Sequence, residues 1–445
     1  MSIDLLTLLL NEGRYAEFVK EIDKMNAIDA AEYLDTIDDA YLLKVFRLLK
    51  KDIAAEIFAN LDTARQEIII TAITDSEITK LFDELYIDDT VDLLEELPAN
   101  LVKRIIRLST PSTRDEINNF LKYPSDSAGS VMTSELVCIH ADMSVSEATA
   151  KIRSTGYEKE TVYVIYVTDN TNVLVGVIGL KELLFSSADA MISDIMNTSV
   201  ISALTLDDRE SVAALISKYD LLALPVVDSE KRLVGIVTVD DALDVIEEET
   251  TEDIEIMAAI SPTDKPYMKT GVLETFKKRI PWLLVLLISA TFTGSIITYY
   301  ESALGAAVAL TAFIPMLMDS GGNAGAQASV TIIRGLSLGE IRMRDIFRIL
   351  WKEFRVSLLC GSVLTAVLFL KALYLDKVSL EIALVVSLTL LATIVLAKLV
   401  GCSMPILAKR IGFDPAVMAS PFITTTVDAL SLLIYFRIAS LILKI

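Results

Sequence analysis

The chain has 445 residues, 53% of them hydrophobic, and its 61 acidic residues outnumber 40 basic ones to give a formal net charge of −21. Residues 281–445 hold 13 of the basic and 9 of the acidic residues, so the remaining 27 and 52 give residues 1–280 a net charge of −25. Such an acidic surface excludes nucleic acid as a partner and attracts cations. The uneven distribution predicts an acidic soluble half followed by an apolar half.

The N-terminal part, residues 1–124, carries short amphipathic segments such as AAEYLDTID, AAEIFANLD and TVDLLEELP. Their apolar residues recur at helical spacing, which predicts an α-helical superhelix whose short helices bury one another's faces. No basic region precedes the apolar run at the N-terminus, so we expect no secretory signal. Three scattered cysteines, Cys138, Cys360 and Cys402, favour a reducing cytoplasmic setting over a disulfide framework.

An internal duplication follows, with copies at residues 125–190 and 191–246 and a period of about 60 residues. Each copy contains a helix, two Val- and Ile-rich strands joined by a polar turn, and a second helix. The stretch LPVVDSEKRLVGIVTVDDAL in the second copy resembles the CBS domain. The resemblance implies a tandem α/β CBS pair, which in this family packs as one body, commonly dimerises and in some members binds adenine nucleotides.

Nucleotide binding stays open for this CBS pair. Thr238 and Asp241 of the second copy occupy the position that resembles the ribose-contacting pair of the CBS family. Gly179 and Glu182 stand at that position in the first copy, which departs from the pattern. The two interpretations are ATP binding at the second copy and a dimer scaffold that binds no nucleotide.

Acidic residues crowd residues 240–253, which lead into a connecting helix and linker that we place at residues 247–280. Like charges three and four residues apart destabilise a helix by roughly 0.2–0.5 kcal/mol per pair unless something neutralises them. Divalent cations such as Mg²⁺ or Ca²⁺ suit such carboxylates. A solvated acidic linker helix is the alternative interpretation.

The last part, residues 281–445, contains five apolar stretches, each near the roughly 20 residues that cross a bilayer once their flanks are included. They are residues 282–300, 303–318, 356–370, 382–397 and 416–436. Basic residues precede the first stretch and separate the second from the third and the fourth from the fifth. The positive-inside rule places the N-terminal half in the cytoplasm and the C-terminus outside. We expect a multidomain integral membrane protein with five transmembrane helices in an all-α membrane domain.

The sequence MDSGGNAGAQASV introduces polar residues at the second apolar stretch. In hydrocarbon each polar group needs a partner, so Asp319, Asn323 and Gln327 predict a protein-lined or water-filled path. The alternative interpretation is that Gly321 and Gly325 form a GxxxG pair for close helix packing. That alternative explains the glycines but not the carboxylate and the two amides.

A second polar position lies inside the fifth apolar stretch, where Asp428 follows three threonines. A carboxylate at that depth costs several kcal/mol if unpaired, so it should face a cation path or a basic partner. Lys398 on the fourth stretch is the candidate partner for a salt bridge. Both interpretations remain at this point.

The stretches PMLMDSGGNAGAQASVTIIRGLSLGEI and DPAVMASPFITTTVDALSLLIYF resemble the MgtE family of magnesium channels and transporters. The resemblance covers the whole chain, as an acidic helical N-domain, a CBS pair, an acidic plug-like connecting helix and five spans. It implies a homodimer whose ion path lies at the dimer interface, formed chiefly by the second and fifth spans. The residues that we expect along that path are Asp319, Gly321, Gly322, Asn323, Gly325, Gln327, Thr424, Thr425 and Asp428.

The resemblance also implies that cytosolic Mg²⁺ binds between acidic surfaces and closes the path. Bound Mg²⁺ would offset the repulsion between these surfaces, and many weak sites acting on one two-state element would give a steep response. The positions that match the family's regulatory residues are Glu56, Asp88, Asp92, Asp208, Glu210, Asp220, Asp241, Asp244, Glu249, Glu252, Asp253 and Asp414.

We therefore expect a non-enzymatic, multi-pass protein of the plasma or inner membrane, with Mg²⁺ as its substrate and regulatory ligand and a second copy of itself as its partner. Transport into the cytosol would follow the electrochemical gradient, since the sequence contains no P-loop motif for nucleotide hydrolysis. Two alternatives stay open. The same architecture could conduct Mn²⁺, Co²⁺ or Ca²⁺, or the spans could anchor a CBS sensor that conducts nothing.

Overall fold

The computed structural model describes residues 3–263, 267–268, 270–300, 308–418 and 420–444. The chain divides into two compact units, Met1–Ile246 and Glu247–Ile445. The first unit holds the N-terminal helices and two small sheets, and the second holds the long apolar helices.

Short helices build the N-terminal region, as the amphipathic segments predict. They are α1 (Ile3–Asn11), α2 (Tyr15–Ile22), α3 (Ala27–Thr36), α4 (Asp39–Phe46), α5 (Lys51–Ala59), α6 (Thr63–Ala72), α7 (Asp75–Phe82), α8 (Ile87–Glu96), α9 (Ala99–Leu108) and α10 (Pro111–Phe120). Helices two apart in the chain pack together, α3 on α5, α5 on α7 and α7 on α9, which makes the array a superhelix. Its apolar core includes the fully buried side chains of Phe18, Ile57 and Phe58.

Arginine side chains join successive turns of this superhelix. Arg65 donates hydrogen bonds to the backbone carbonyls of Asp35 and Ile37, at 2.6 and 2.8 Å, where α3 ends. Arg104 makes the same kind of contact at the end of α6, at 2.8 and 3.0 Å. Each arginine thereby satisfies carbonyls that a helix end leaves without an intrahelical partner.

The internal duplication is confirmed as two sheets of the same topology. The first contains β1 (Cys138–His140), β2 (Val164–Thr168) and β3 (Leu174–Gly179), and the second contains β4 (Ala203–Leu204), β5 (Ala223–Val227) and β6 (Leu233–Thr238). In each sheet the first strand runs parallel to the second, and the second runs antiparallel to the third. The helices of this region are α11 (Val145–Thr155), α12 (Leu180–Phe185), α13 (Ile192–Ile195) and α14 (Arg209–Tyr219).

The acidic segment forms α15 (Val239–Met257), which starts directly after β6. The predicted connecting helix is therefore helical up to Met257. The helix ends before Pro262, a residue that lacks the N–H a continuing helix would need.

Long helices make up the second unit. They are α16 (Val272–Tyr299), α17 (Ile314–Ser337), α18 (Ile346–Tyr374), α19 (Leu380–Arg410) and α20 (Ser420–Leu443). Four segments of the described chain are long and apolar enough to cross a bilayer, and they are Val272–Tyr299, Met343–Tyr374, Leu380–Arg410 and Pro415–Leu443. The 24 residues of α17 span about 36 Å at the usual helical rise, but its polar residues and glycines lower its hydropathy. The fifth span therefore stays a prediction.

The helix of the predicted second span begins later than the apolar stretch 303–318 indicates. Residues 301–307 lie outside the described residues, residues 308–313 form a 3-10 helix, and α17 begins at Ile314. Pro315 lies in the first turn of α17, where its missing N–H costs no hydrogen bond. The polar motif is thus inside one regular helix.

The backbones of α17 and α19 approach closely at two glycines. A methyl group on Gly401 would lie 3.1 Å from Gly325 Cα and would overlap the Gly325 carbonyl oxygen. A methyl group on Gly325 would lie 2.7 Å from Ile423 of α20. Neither position has room for a side chain, so the glycines permit α17 to pack on both neighbours.

We expect Gly401→Ala to destabilise the second unit, because the added methyl would overlap the backbone of α17. Overpacking costs roughly 1–3 kcal/mol, so thermal unfolding of the purified protein in detergent should shift several degrees downward. Gly294→Ala on α16 is the matched control, since no atom lies within 4 Å of its added methyl. Equal melting temperatures for the two variants would contradict the close packing.

Candidate functional site

Three polar side chains of α17 form an exposed row, which we call the polar ridge. Asp319, Asn323 and Gln327 follow one another at four-residue spacing, and all three are exposed. Side chains four residues apart project from the same face of a helix. The polar ridge is therefore a continuous line of carboxylate and amide groups along one side of α17.

The predicted glycines lie on the packed face of α17 instead. Gly321, Gly322 and Gly325 are buried. A methyl group on Gly321 would lie 2.6 Å from Thr393 Cγ2, and one on Gly322 would lie 3.0 Å from Thr424 Cγ2. Their observed position corresponds to the GxxxG packing interpretation.

Asp428 lies on α20, half-buried and within electrostatic range of Asp319. Within the described ranges no basic side chain forms an ion pair with it. Thr424 and Thr425, one turn earlier, donate their hydroxyl protons to the Pro421 carbonyl at 3.0 and 2.9 Å. The hydroxyl oxygens keep lone pairs that accept further hydrogen bonds, as the oxygens of Asp428 and Asp319 do.

The structure contradicts the alternative in which Lys398 pairs with Asp428. Lys398 Nζ instead lies 3.7 Å from Glu353 Oε2 of α18, and the two side chains are only 8% and 15% exposed. The positive charge of a buried lysine is compensated by such a carboxylate partner. Lys398 is therefore not the ion-pair partner of Asp428.

A first acidic cluster lies within the first unit, where α8, the residues before β1 and the start of α15 meet. Burial and the neighbouring Asp89, Asp241 and Glu135 carboxylates raise the pKa of Asp88 to about 8. Burial, with Asp241 and Glu135, raises the pKa of Asp89 to about 6. Asp88 Oδ1 is buried and has no hydrogen-bond partner among the described residues. A cation would relieve this repulsion.

Glu160 extends the first acidic cluster toward β2. Burial and the surrounding carboxylates raise its pKa to about 7. Burial also raises the pKa of Asp241, although Thr238 Oγ1 donates a 2.5 Å hydrogen bond to its Oδ2. The members of the first acidic cluster are Asp88, Asp89, Glu135, Glu160, Asp240 and Asp241.

The first acidic cluster suits a hydrated cation better than a directly ligated one. Among the described residues, no three His, Cys, Asp or Glu side chains converge as direct ligands of one metal ion. Mg²⁺ usually keeps several coordinated waters, and carboxylates that contact it through water stand farther apart than direct ligands. The buried, unpartnered Asp88 Oδ1 fits such a water-mediated contact.

A second acidic pair, Asp253 and Asp414, lies in the second unit. Burial and the Asp414 carboxylate raise the pKa of Asp253, and the Ser337 hydroxyl donates to Asp253 Oδ2 at 3.3 Å. The next turn of α15 packs against Ile333 of α17 and Ala416. The end of α15 thus contacts α17, which carries the polar ridge, and the segment that leads into α20.

The remaining predicted regulatory carboxylates lie elsewhere on the first unit and along α15. Asp208 caps α14, because its Oδ1 accepts hydrogen bonds from the backbone N–H groups of Glu210 and Ser211 at 2.9 and 3.2 Å. Asp220 ends the same helix in the left-handed conformation, at φ 51°. The others are Glu56 on α5, Asp92 on α8, Glu210 on α14, and Asp244, Glu249 and Glu252 on α15.

Comparison with known proteins decides the family. The MgtE divalent cation transporter model matches residues 314–438, the MgtE intracellular N domain model matches residues 25–126, and the CBS domain model matches residues 128–189 and 192–248. The magnesium transporter MgtE of Thermus thermophilus is 36% identical over 439 residues, which cover 98% of this chain and 97% of that protein. The chain belongs to the MgtE family. The magnesium transporter MgtE of Bacillus subtilis is 33% identical over 98% of this chain and 96% of its own length.

Solved structures agree with this MgtE assignment. The soluble part of a magnesium transporter matches with a TM-score of 0.53 and 32% identity, over 56% of this chain and 97% of that one. The cytosolic domain of the Mg²⁺ channel MgtE in complex with ATP matches with a TM-score of 0.52 and 34% identity, over 55% of this chain and all of that one. The helical N-domain and CBS pair therefore have the fold of solved MgtE proteins.

Sequence reasoning missed part of the first acidic cluster. Asp89, Glu135 and Glu160 belong to no sequence motif, and they approach Asp88 and Asp241 only because four separate chain segments fold together. The adjacent Asp88 and Asp89 at the start of α8 were the one local feature of the sequence that pointed to this cluster. A helix N-terminus favours acidic residues in general, so that signal does not identify a cation site by itself.

The first acidic cluster should make the stabilising effect of Mg²⁺ depend on pH. The pKa of Asp88 is about 8 in the folded state, against roughly 3.9 in an unfolded chain, so the folded state loses stability as the pH rises between these values. A cation replaces the lost proton. We therefore expect millimolar Mg²⁺ to raise the melting temperature more at about pH 8 than at about pH 6, by roughly 2–4 °C per kcal/mol of binding.

Asp88→Asn should reduce this pH dependence, because the amide never ionises, and the contribution of Glu160, whose pKa is about 7, should remain. Asp115→Asn is the matched control, since Asp115 is exposed and lies outside the first acidic cluster. Differential scanning fluorimetry with and without Mg²⁺ measures the effect. An Asp88→Asn protein that keeps the same pH-dependent response to Mg²⁺ would show that another site binds the ion.

Proposed function

We propose that this chain transports Mg²⁺ into the cytosol, down its electrochemical gradient, along the polar ridge of α17 and past Asp428. The observation that carries the proposal is the polar ridge itself, which is exposed on a long helix of an apolar domain and has a second carboxylate beside it. Membership of the MgtE family, whose relatives are named magnesium transporters, supports Mg²⁺ as the substrate.

We propose a homodimer because the polar ridge is exposed. Asp319, Asn323 and Gln327 are exposed on a single chain, and a polar row facing lipid would be costly. A second copy packed on this face would enclose the row and present a second Asp428 to the same path. Two carboxylates on one axis would offset the two charges of a Mg²⁺ ion.

The chemistry of the polar ridge suits a hydrated ion. Mg²⁺ gives up its coordinated water reluctantly, so a path that grips the water shell avoids the dehydration cost. The polar ridge offers acceptor oxygens about 6 Å apart along the helix, at roughly 1.5 Å per residue. The threonine hydroxyls before Asp428 add acceptors on the neighbouring helix. Mn²⁺, Co²⁺ and Ca²⁺ share the preference for oxygen ligands, so ion competition belongs in the test.

The membrane potential supplies the driving force in this proposal. An inside-negative potential contributes about 2.3 kcal/mol per elementary charge per 100 mV, so a doubly charged ion gains about 4.6 kcal/mol per 100 mV. We propose that the N-domain and CBS pair are cytoplasmic and that the C-terminus lies outside, as the basic residues at the span ends indicate. No chemical energy source is then required.

We infer that cytosolic Mg²⁺ closes the path by binding to the first acidic cluster and to the second acidic pair. In the second unit, Mg²⁺ between Asp253 and Asp414 would hold the end of α15 against α17 and the start of α20. In the first unit, Mg²⁺ in the first acidic cluster would hold α8 against the start of α15. Loss of Mg²⁺ would leave like charges facing each other, and their repulsion would release α15.

ATP is a further ligand to test at the CBS pair. The ATP complex of a related cytosolic domain supports it. In this chain, Thr238 donates to Asp241, and Asp241 belongs to the first acidic cluster. A ribose that used this pair would therefore compete with a cation for the same carboxylate.

Mg²⁺ uptake into proteoliposomes, read with an internal Mg²⁺ dye, tests the path. We expect Asp428→Ala to lower the uptake rate at least tenfold and Asn323→Ala to lower it less, because an amide contributes no charge. Asp376→Asn is the matched control, as Asp376 pairs with Lys371 at 2.7 Å in the segment that follows α18.

An uptake rate in Asp428→Ala equal to that of the wild type would exclude this path. Absence of uptake by the wild type, in vesicles free of internal Mg²⁺, would favour the non-conducting CBS sensor. Preferential block by Mn²⁺, Co²⁺ or Ca²⁺ at concentrations far below that of Mg²⁺ would reassign the substrate.

Asp253→Asn combined with Asp414→Asn tests the closing step. Removing both charges removes the repulsion and the Mg²⁺ site together, so the uptake rate should no longer depend on the Mg²⁺ concentration on the cytosolic side. Glu247→Gln on the same helix is the control, because Glu247 is exposed and lies six residues before Asp253. Inhibition that is equal in all three proteins would remove the second acidic pair from the mechanism.

A further inference from the structure

The first long helix of the second unit, α16, is the most peripheral one. It packs chiefly on α20, and none of its most apolar stretch is buried inside the protein. Its main aromatic contact is that of Trp282 with Phe422 of α20, whose ring centroids are 5.9 Å apart in an edge-to-face arrangement. Most of the α16 surface is therefore available to lipid.

A cleft of about 470 Å³ lies beside the first turns of α16. Phe276, Arg279 and Leu283 line it at spacings of three and four residues, so they share one face of the helix. Tyr267 and Met268, from the segment before α16, also line the cleft and are strongly exposed. The cleft is thus mostly apolar, and it lies where the basic N-terminal end of α16 meets its charge-free part.

Arg279 supplies the charge in this cleft. It is the one charged side chain among the described residues that line it, and its side chain is exposed. The adjacent Lys278 points elsewhere, because its ammonium group donates to the Pro262 carbonyl. A guanidinium group matches the oxygens of a phosphate in a two-pronged contact.

We propose that this cleft binds one anionic phospholipid. The phosphate contacts Arg279, and the acyl chains lie along Phe276 and Leu283 toward the apolar part of α16. A free phosphate ion would leave the apolar lining without a partner, and a choline headgroup would bring a second cation next to Arg279. The charge and the lining together therefore select a lipid with a net negative headgroup. This site is independent of the ion path.

Native mass spectrometry of the purified, delipidated full-length protein tests the site. Titration with dioleoylphosphatidylglycerol should show one tightly held lipid per chain, and dioleoylphosphatidylcholine should bind more weakly. Arg279→Gln should lower the phosphatidylglycerol affinity about tenfold, the expected effect of losing one charge-assisted contact. Arg348→Gln is the matched control, because Arg348 is an exposed basic residue near the start of α18 and outside the cleft.

Two further variants separate the headgroup from the acyl chains. Arg279→Lys keeps the charge but loses the two-pronged contact, so it should bind phosphatidylglycerol more weakly than the wild type and still prefer it to phosphatidylcholine. Phe276→Ala should weaken the binding of both lipids alike. Equal affinity of the wild type for the two lipids, an unchanged affinity in Arg279→Gln, or loss of the preference in Arg279→Lys would overturn the proposal. Full displacement of the lipid by inorganic phosphate would also overturn it, since the site would then be a simple anion site.

Discussion

The contact of α17 with α19 and α20 is the constraint on which the rest of the membrane half depends. Gly325 and Gly401 bring two backbones together, and Gly321 and Gly322 bring α17 against Thr393 and Thr424. Because these glycines fix which face of α17 is packed, they also fix the rotation of the helix. The polar ridge is exposed for that reason. The same motif therefore supplies glycines to the packed face of α17 and polar side chains to its exposed face. The packing and the ion-path interpretations of this sequence are compatible.

Repulsion between carboxylates is the second constraint, and it acts in both units. Asp88 and Asp253 belong to different units, yet burial and a facing carboxylate raise the pKa of each. Holding charge in this way is unfavourable unless a proton or a cation is present. At each acidic group, the binding of a proton or a cation is therefore coupled to the contact between the facing carboxylates. In our proposal these groups make the protein respond to cation concentration through carboxylates that contact the hydrated ion.

The sequence predicted the order of modules, the duplicated sheets and the long apolar helices, because each has its own periodicity. It singled out Asp428 and the residues of the polar ridge as candidates, because polar groups in apolar stretches are conspicuous, and their role stays a prediction. It could not assign the glycines to the packed face, since helix rotation depends on neighbours such as Gly401 and Ile423. It could not find Glu135 or Glu160 either, as their proximity to Asp88 is tertiary. The alternative that paired Lys398 with Asp428 was wrong for the same reason. The actual partner, Glu353, lies 45 residues earlier in the chain, on an adjacent helix.

The ion pair of Lys398 with Glu353 has a consequence for biogenesis. Each side chain alone would carry a full charge into the bilayer during insertion, and a charge within a membrane-spanning helix is costly. Together they are nearly neutral, and only residues 375–379 separate α18 from α19. The two helices should therefore leave the insertion machinery as one helical hairpin, with α19 already held in place when α17 packs its glycines against it.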